Sequence, residues 1–252
     1  MIMKPNPKQK PKAFTRLELT VVVVVVLVLA SMLLPPMNKV KAKAPRIDCV
    51  NNLKQIGIAY RLWSPDSTDR TPAQQSTSLG GWTELLTNAD QGPNCWTNYF
   101  LMSNELGLAP KLLVCPADER RPARDFQTDF KDNSHLSYFV GVSVNDLFPN
   151  SPLGGDRNLG PGTVPDANYG YSPTNGKGND VAVPISGPVS WSLKMHSAGN
   201  TAGVGNIMLG DGTVQQVSSA SLRMNWLIKA DPTTIWPAGH VPATPSIRLV
   251  FP

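Results

Sequence analysis

The chain has 252 residues, with 23 Lys or Arg against 18 Asp or Glu and a formal net charge of +5. Four of those lysines, Lys4, Lys8, Lys10 and Lys12, crowd the N-terminus; without them 19 basic side chains face 18 acidic ones, a charge of +1. That near-balance removes the basic surplus a nucleic-acid partner requires, and no Arg/Lys stripe interleaved with aromatics replaces it. The length suits one N-terminal segment and one globular domain able to bury a core.

After residues 1–13 comes Phe14-Thr15-Arg16-Leu17-Glu18-Leu19, then six consecutive valines and Leu-Val-Leu-Ala-Ser-Met-Leu-Leu. Residues 17–34 are mostly apolar, and at about 1.5 Å per residue they reach roughly 27 Å, which predicts a membrane-crossing helix. Glu18 stands at the second position of that run. An ionised carboxylate at membrane depth costs several kcal/mol unless it is paired, so it asks for a partner. Arg16 is not that partner, because residues two apart lie on nearly opposite faces of a helix.

The string resembles the class III signal of type IV pilins and type II secretion pseudopilins, in which a short basic leader precedes Phe-Thr-x-x-Glu and a long apolar stretch. The resemblance implies cleavage between Ala13 and Phe14 by a prepilin peptidase and N-methylation of Phe14. It also implies an assembly role for Glu18, whose carboxylate would meet the amino terminus of Phe14 in a neighbouring subunit. Ala13 stands where the family has Gly, and Arg16 where it has an apolar residue. Further strings, "CVNNLKQIGIAYRLW", "LLVCPADERR", "SYFVGVSVND", "GDRNL" and "GNIMLGDGTVQQ", resemble a group of bacterial pilin-like proteins with an Asp-Gly hairpin near the C-terminus. Lysines and arginines flank the apolar run almost equally, so charge leaves its orientation open. The family resemblance implies a single-pass protein of the bacterial cytoplasmic membrane, with its N-terminus in the cytoplasm and its domain periplasmic or extracellular. A secretory signal cut near Val40-Lys41-Ala42-Lys43-Ala44 is the competing reading.

Past the apolar run, Cys49, Leu53, Ile56, Tyr60 and Trp63 step by four and three residues, the stripe of one helix face. One helix is therefore expected over 14–63, with 17–34 as its membrane part and 46–63 packed on the domain. Pro35-Pro36 and Pro45 are expected to kink or break it, and Ser64-Pro65 to end it. The strings "LGGWTELLT" and "WTNYFLMSNELG" read as helical, with Gly107 as the stop, and "KLLVC" reads as a short buried strand. Alternation over 136–145 and again over 189–196 predicts two half-buried strands, the second placing His196 on its polar face. Residues 147–188, rich in Gly, Pro, Asn and Asp, read as a long irregular loop held by Asp156-Arg157-Asn158. The string "NIMLGDGTVQQV" predicts a hairpin with Asp211 as a turn residue, and Ser218 or Ser219 caps a short helix. The stretch from Asp231 reads as extended.

Candidate chemistry is sparse. Cys49, Cys95 and Cys115 allow one disulfide plus one thiol, with three pairings open. Cys-x-x-Cys is absent, so spacing assigns no metal ligand. The resemblance allows for calcium, as some pseudopilins bind it, but no position in the sequence places it. No Gly-x-Ser-x-Gly elbow accompanies His135, His196 and His240, and no enzyme is expected.

These readings converge on an α+β protein: a leader (1–13), a long N-terminal transmembrane-and-scaffold helix (14–63) packed on an antiparallel β-sheet domain (64–252), and long irregular loops. The function implied by the resemblance is a structural pseudopilin-like subunit. Its partners would be prepilin peptidase, sister subunits, an inner-membrane assembly platform and the lipid bilayer, with no nucleic acid. The alternative is a non-polymerising, membrane-anchored extracytoplasmic binding protein.

Overall fold

The structure, a computed structural model, describes residues 15–33, 37–64, 70–87, 94–142, 144, 149–197, 202–230 and 241–252. Ala13, Phe14 and the Pro35-Pro36 break lie outside these residues. The chain divides into two compact units, Met1–Ala44 and Pro45–Pro252.

In the first unit, helix α1 (Arg16–Leu33) carries the valine run. Its N-terminus is closed by a capping box: the Glu18 N–H donates to the Thr15 hydroxyl at 3.3 Å, and the Thr15 N–H donates to the Glu18 carboxylate at 2.8 Å. Among the described residues no helix is long and apolar enough to cross a membrane. Within the described residues α1 ends at Leu33. Arg16 and Glu18 occupy its first turn, leaving residues 19–33 as the uncharged length, roughly 22 Å against a hydrocarbon core of about 30 Å. The expected membrane-crossing helix over 17–34 is corrected, and the single-pass placement in the cytoplasmic membrane loses the span on which it rested. A second helix, α2 (Met37–Trp63), carries the later part of the segment expected to be helical. Pro45 lies inside α2, so no break occurs there, and α2 ends at Trp63, just before Ser64-Pro65.

In the second unit, the α2 stripe is buried as its spacing predicts, with Cys49, Leu53, Ile56, Tyr60 and Trp63 all in the core. Short helical turns follow at Pro72–Gln74, Thr77–Leu79 and Thr83–Thr87, then helix α3 (Cys95–Leu101). Gly107, with φ +63°, sits in the left-handed conformation expected of a stop residue. The expected strand at "KLLVC" is instead a 3-10 turn, Pro110–Leu113. Pro110 sets a helical φ and has no N–H to give a ladder.

The strands are β1 (Tyr138–Gly141), β2 (Pro152–Asp156), β3 (Leu159–Pro161), β4 (Asn179–Pro184), β5 (Val189–Trp191), β6 (Val204–Leu209), β7 (Val214–Ser218) and β8 (Ser246–Phe251). Six form an antiparallel sheet in the order β4-β8-β1-β2-β6-β7, and β3 pairs with β5 apart. Both faces of the large sheet are covered. Tyr138, Val140, Met208 and Val250 join the α2 side of the core, while Phe139, Ile207, Leu249 and Phe251 pack on the opposite side with Trp191 and Leu222. β1 is therefore buried at every residue, not half-buried as alternation suggested. The 147–188 section holds three strands, a correction to the long irregular loop. β2 lacks β-branched residues because its glycines lie against bulk: a Cβ on Gly155 would stand 2.7 Å from both the Phe139 ring and the Asn206 carbonyl. The β6–β7 hairpin forms as predicted, with Asp211 accepting from the Thr213 N–H at 2.8 Å. Ser218 caps helix α4 (Ser219–Ser221) by accepting from the Ser221 N–H.

Candidate metal centre

Four segments that are distant in sequence meet between α2 and the sheet. Cys49 reaches in from the α2 stripe. Cys115 follows the 3-10 turn at Pro110–Leu113, whose Leu113 carbonyl accepts the Ser137 N–H at 2.8 Å. Asp156 ends β2, opposite Tyr138 in the ladder. His196 sits in a 3-10 turn, Met195–Ser197, turned inward after Met195 adopts φ +55°, a left-handed value uncommon for a residue with a side chain. The Arg46 guanidinium ties α2 to this turn through the His196 carbonyl at 2.7 Å.

The donor atoms of Cys49, Cys115, Asp156 and His196 all lie within 4.8 Å of one another, and all four residues are buried. The Cys49 thiol donates to Asp156 Oδ1 at 3.2 Å and lies 3.4 Å from the Tyr138 hydroxyl. The Cys115 sulfur is 3.3 Å from His196 Nε2, and it accepts the Ala117 N–H at 3.4 Å. His196 Nε2 is also 3.5 Å from Asp156 Oδ2, which the Asn206 N–H holds at 2.7 Å.

Burial pushes the Cys49 thiol well up, and its Cys115 and Asp156 neighbours add to that shift. Cys115 moves the other way: its bond with Cys49 lowers it, burial opposes, and His196 assists. Burial raises the Asp156 carboxyl more than His196 and the Asn206 N–H depress it. Burial alone would lower His196, but Cys115 and Asp156 outweigh it and the imidazole is raised. Chemically this is two thiols, an imidazole and a carboxyl gathered in one buried cluster.

The set is not arranged as a nucleophilic triad. In a triad the acid orients the imidazole from the nitrogen opposite the nucleophile. Here Cys115 and Asp156 both approach Nε2, while Nδ1 has no partner among the described residues.

Of the residues singled out from sequence, Glu18 lies in the α1 capping box, with both Thr15 contacts on Oε2. Cys49, Cys95 and Cys115 are free, buried thiols; Cys95 stands apart from the cluster, its sulfur 3.5 Å from the Val250 carbonyl. Asp156-Arg157-Asn158 does hold its segment, but by long-range bonds. Arg157 binds Asp118, and the Asn158 amide reaches the carbonyls of Ser192, Lys194 and Val204. His196 was expected on a polar strand face; β5 stops at Trp191, so the alternation never reaches it and the side chain is buried. Sequence reasoning missed the cluster because positions 49, 115, 156 and 196 share no short spacing. The available signals were a Cys on an apolar stripe and a His beside a strand.

A separate recess of about 150 Å³ is lined by Glu119, Arg120, Ser134, Arg157, Thr174 and Gly176. It is smaller than the roughly 300 Å³ at which ligand pockets begin. Both of its guanidiniums are engaged, Arg157 with Asp118 and Arg120 with the carbonyls of Asn133, Leu136, Pro173 and Pro252.

No protein-family model, no curated protein and no solved structure matches the chain.

Proposed function

We propose that the chain is a pilin-like structural subunit, cut by a prepilin peptidase between Ala13 and Phe14 and assembled through α1 into a pilus or a type II secretion pseudopilus. The observation that carries this reading is the surface of α1. From Leu17 to Leu29 its apolar side chains are exposed, six consecutive valines among them, so no face of the helix is polar. A helix that is apolar all round needs apolar neighbours, and the α1 helices of sister subunits supply them. Glu18 adds register. Both of its bonds to Thr15 fall on Oε2, and Oε1 takes none among the described residues, at the end of the helix that adjoins Phe14. A neighbouring subunit's free amino terminus is the complementary charge.

In this reading the protein is a substrate of the peptidase and a building block, with sister subunits and an assembly platform as partners and no catalytic role of its own. The test uses the full chain in a bacterial host that carries a prepilin peptidase. Mass spectrometry is expected to find N-methylated Phe14 at the terminus; an intact Met1, or a cut after Ala44, overturns the proposal. Glu18→Gln preserves the capping box, since Gln also serves at that position, and removes the charge. It is expected to abolish recovery in pelletable filaments, whereas unchanged recovery overturns the role of the charge.

A further inference from the structure

We infer that Cys49, Cys115, Asp156 and His196 form a closed tetrahedral site for a zinc ion that fastens α2 to the β-sheet. This goes beyond the assembly reading and does not depend on it, since every ligand lies in the Pro45–Pro252 unit.

The donor chemistry comes first. Two sulfurs, one imidazole nitrogen and one carboxylate oxygen make a set that zinc takes in tetrahedral geometry. Calcium and magnesium are poorly served, because they require about six or more oxygens and the cluster offers a single carboxylate.

The spacing agrees with that chemistry. Zinc bonds of about 2.0–2.3 Å at tetrahedral angles set ligand–ligand edges of about 3.3–3.8 Å. Three of the six edges lie at or close to that range, at 3.2 Å from Cys49 to Asp156, 3.3 Å from Cys115 to His196 and 3.5 Å from His196 to Asp156, and all six are within 4.8 Å. The convergence of Cys115 and Asp156 on one nitrogen of His196, unsuited to a proton relay, is what a shared ion requires of its ligands.

Supporting groups stand beside three of the four ligands. The Ala117 N–H points at the Cys115 sulfur and the Tyr138 hydroxyl lies against the Cys49 sulfur, so each thiolate has a neighbour able to donate to it. The Asn206 N–H fixes the carboxylate. All four ligand residues are buried, leaving no open coordination position of the kind a catalytic zinc keeps. The role is therefore structural. Binding exchanges the two thiol protons for the cation, two Zn–S bonds replacing two S–H bonds with both protons released to solvent.

The test is metal analysis of the purified full chain, followed by removal of metal with a chelator under reducing conditions and titration with Zn²⁺ and Co²⁺. One equivalent of zinc is expected, together with a thiolate-to-cobalt charge-transfer band and the intense visible bands of tetrahedral cobalt. The thermal midpoint should rise with free zinc. Cys49→Ser and Cys115→Ser should each lose the charge-transfer intensity and weaken zinc binding at least tenfold, while Cys95→Ala, outside the cluster, should keep both. The cobalt spectrum of the unaltered chain decides the matter if a serine variant fails to fold. Octahedral cobalt without sulfur bands, failure to bind zinc after reduction, or a Cys49–Cys115 disulfide throughout freshly purified protein overturns the inference.

Discussion

Asp118 accepts two bonds from Arg157, from Nε at 2.7 Å and Nη2 at 2.9 Å, with both side chains almost wholly withdrawn from solvent. The same carboxylate takes the hydroxyls of Ser137 and Tyr169, and the Arg157 guanidinium lies 3.4 Å from the centre of the Tyr169 ring. The pair joins the loop after Cys115 to the β2–β3 junction. Removing one charge leaves the other buried and uncompensated, so Asp118→Asn and Arg157→Met should each cost about 3–5 kcal/mol in urea unfolding. The double variant should cost less than the two singles together.

The same pair sets a pH dependence. Burial raises the Asp118 carboxyl, but the bonds and charge of Arg157, with Ser137 and Tyr169, prevail and hold it below its usual range. An unfolded Asp titrates near about 4. The stabilisation is therefore complete above that pH and is lost as pH falls through the lower folded value. Urea midpoints should drop below about pH 4, and Asp118→Asn should flatten that part of the profile.

Asn98 provides a second buried polar joint. Its side chain accepts from the Trp82 indole N–H at 3.1 Å and donates to the Tyr60 hydroxyl at 2.5 Å. Asn98→Ala strands both groups inside the core and should cost about 2–4 kcal/mol by chemical denaturation. A loss under 1 kcal/mol would mean that the two rings do not depend on it.

Gly155 should not tolerate a methyl group. Its added Cβ would meet the Asn206 carbonyl and the Phe139 ring within van der Waals distance, and neither can withdraw without moving β6 or the core. Gly155→Ala should lose about 1–3 kcal/mol. Because Asp156 follows it and Asn206 holds that carboxylate, the variant should also weaken zinc binding, as read by competition with a chelator.

Leu108 offers a stabilising change. It has φ +54°, and its side chain is exposed, so it carries a left-handed backbone penalty without a compensating contact of comparable size. Leu108→Gly should raise stability by about 0.5–1 kcal/mol, measured as a higher urea midpoint at unchanged slope.

The parts legible in the sequence were those whose side chains repeat a simple period. The Cys49–Trp63 stripe and the hairpin around Asp211 could be read directly, because burial on one helix face and a Gly-Asp-Gly turn leave local signatures. β2 and β3 could not. Their "PLGGD" and "LGP" strings look like loop, and only the bulk of Phe139 above Gly155 explains why a strand needs glycine there. β8 read as an extended tail, since nothing local announces that Ser246–Phe251 pairs on both sides. The candidate centre was hidden for a related reason: each ligand makes local sense alone, Cys49 as core and His196 as polar surface. The valine run and the charges at its start were plain, whereas the extent of the helix that carries them, Arg16–Leu33, was not.

The position of β8 between β4 and β1 has a consequence for synthesis. A ribosome delivers β4 and β1 long before β8, and the two cannot join one another until Ser246–Phe251 has emerged and slotted between them. Until then the nascent chain presents open edges, so a premature stop just before Ser246 should yield not a shortened domain but a substrate for chaperones and proteases.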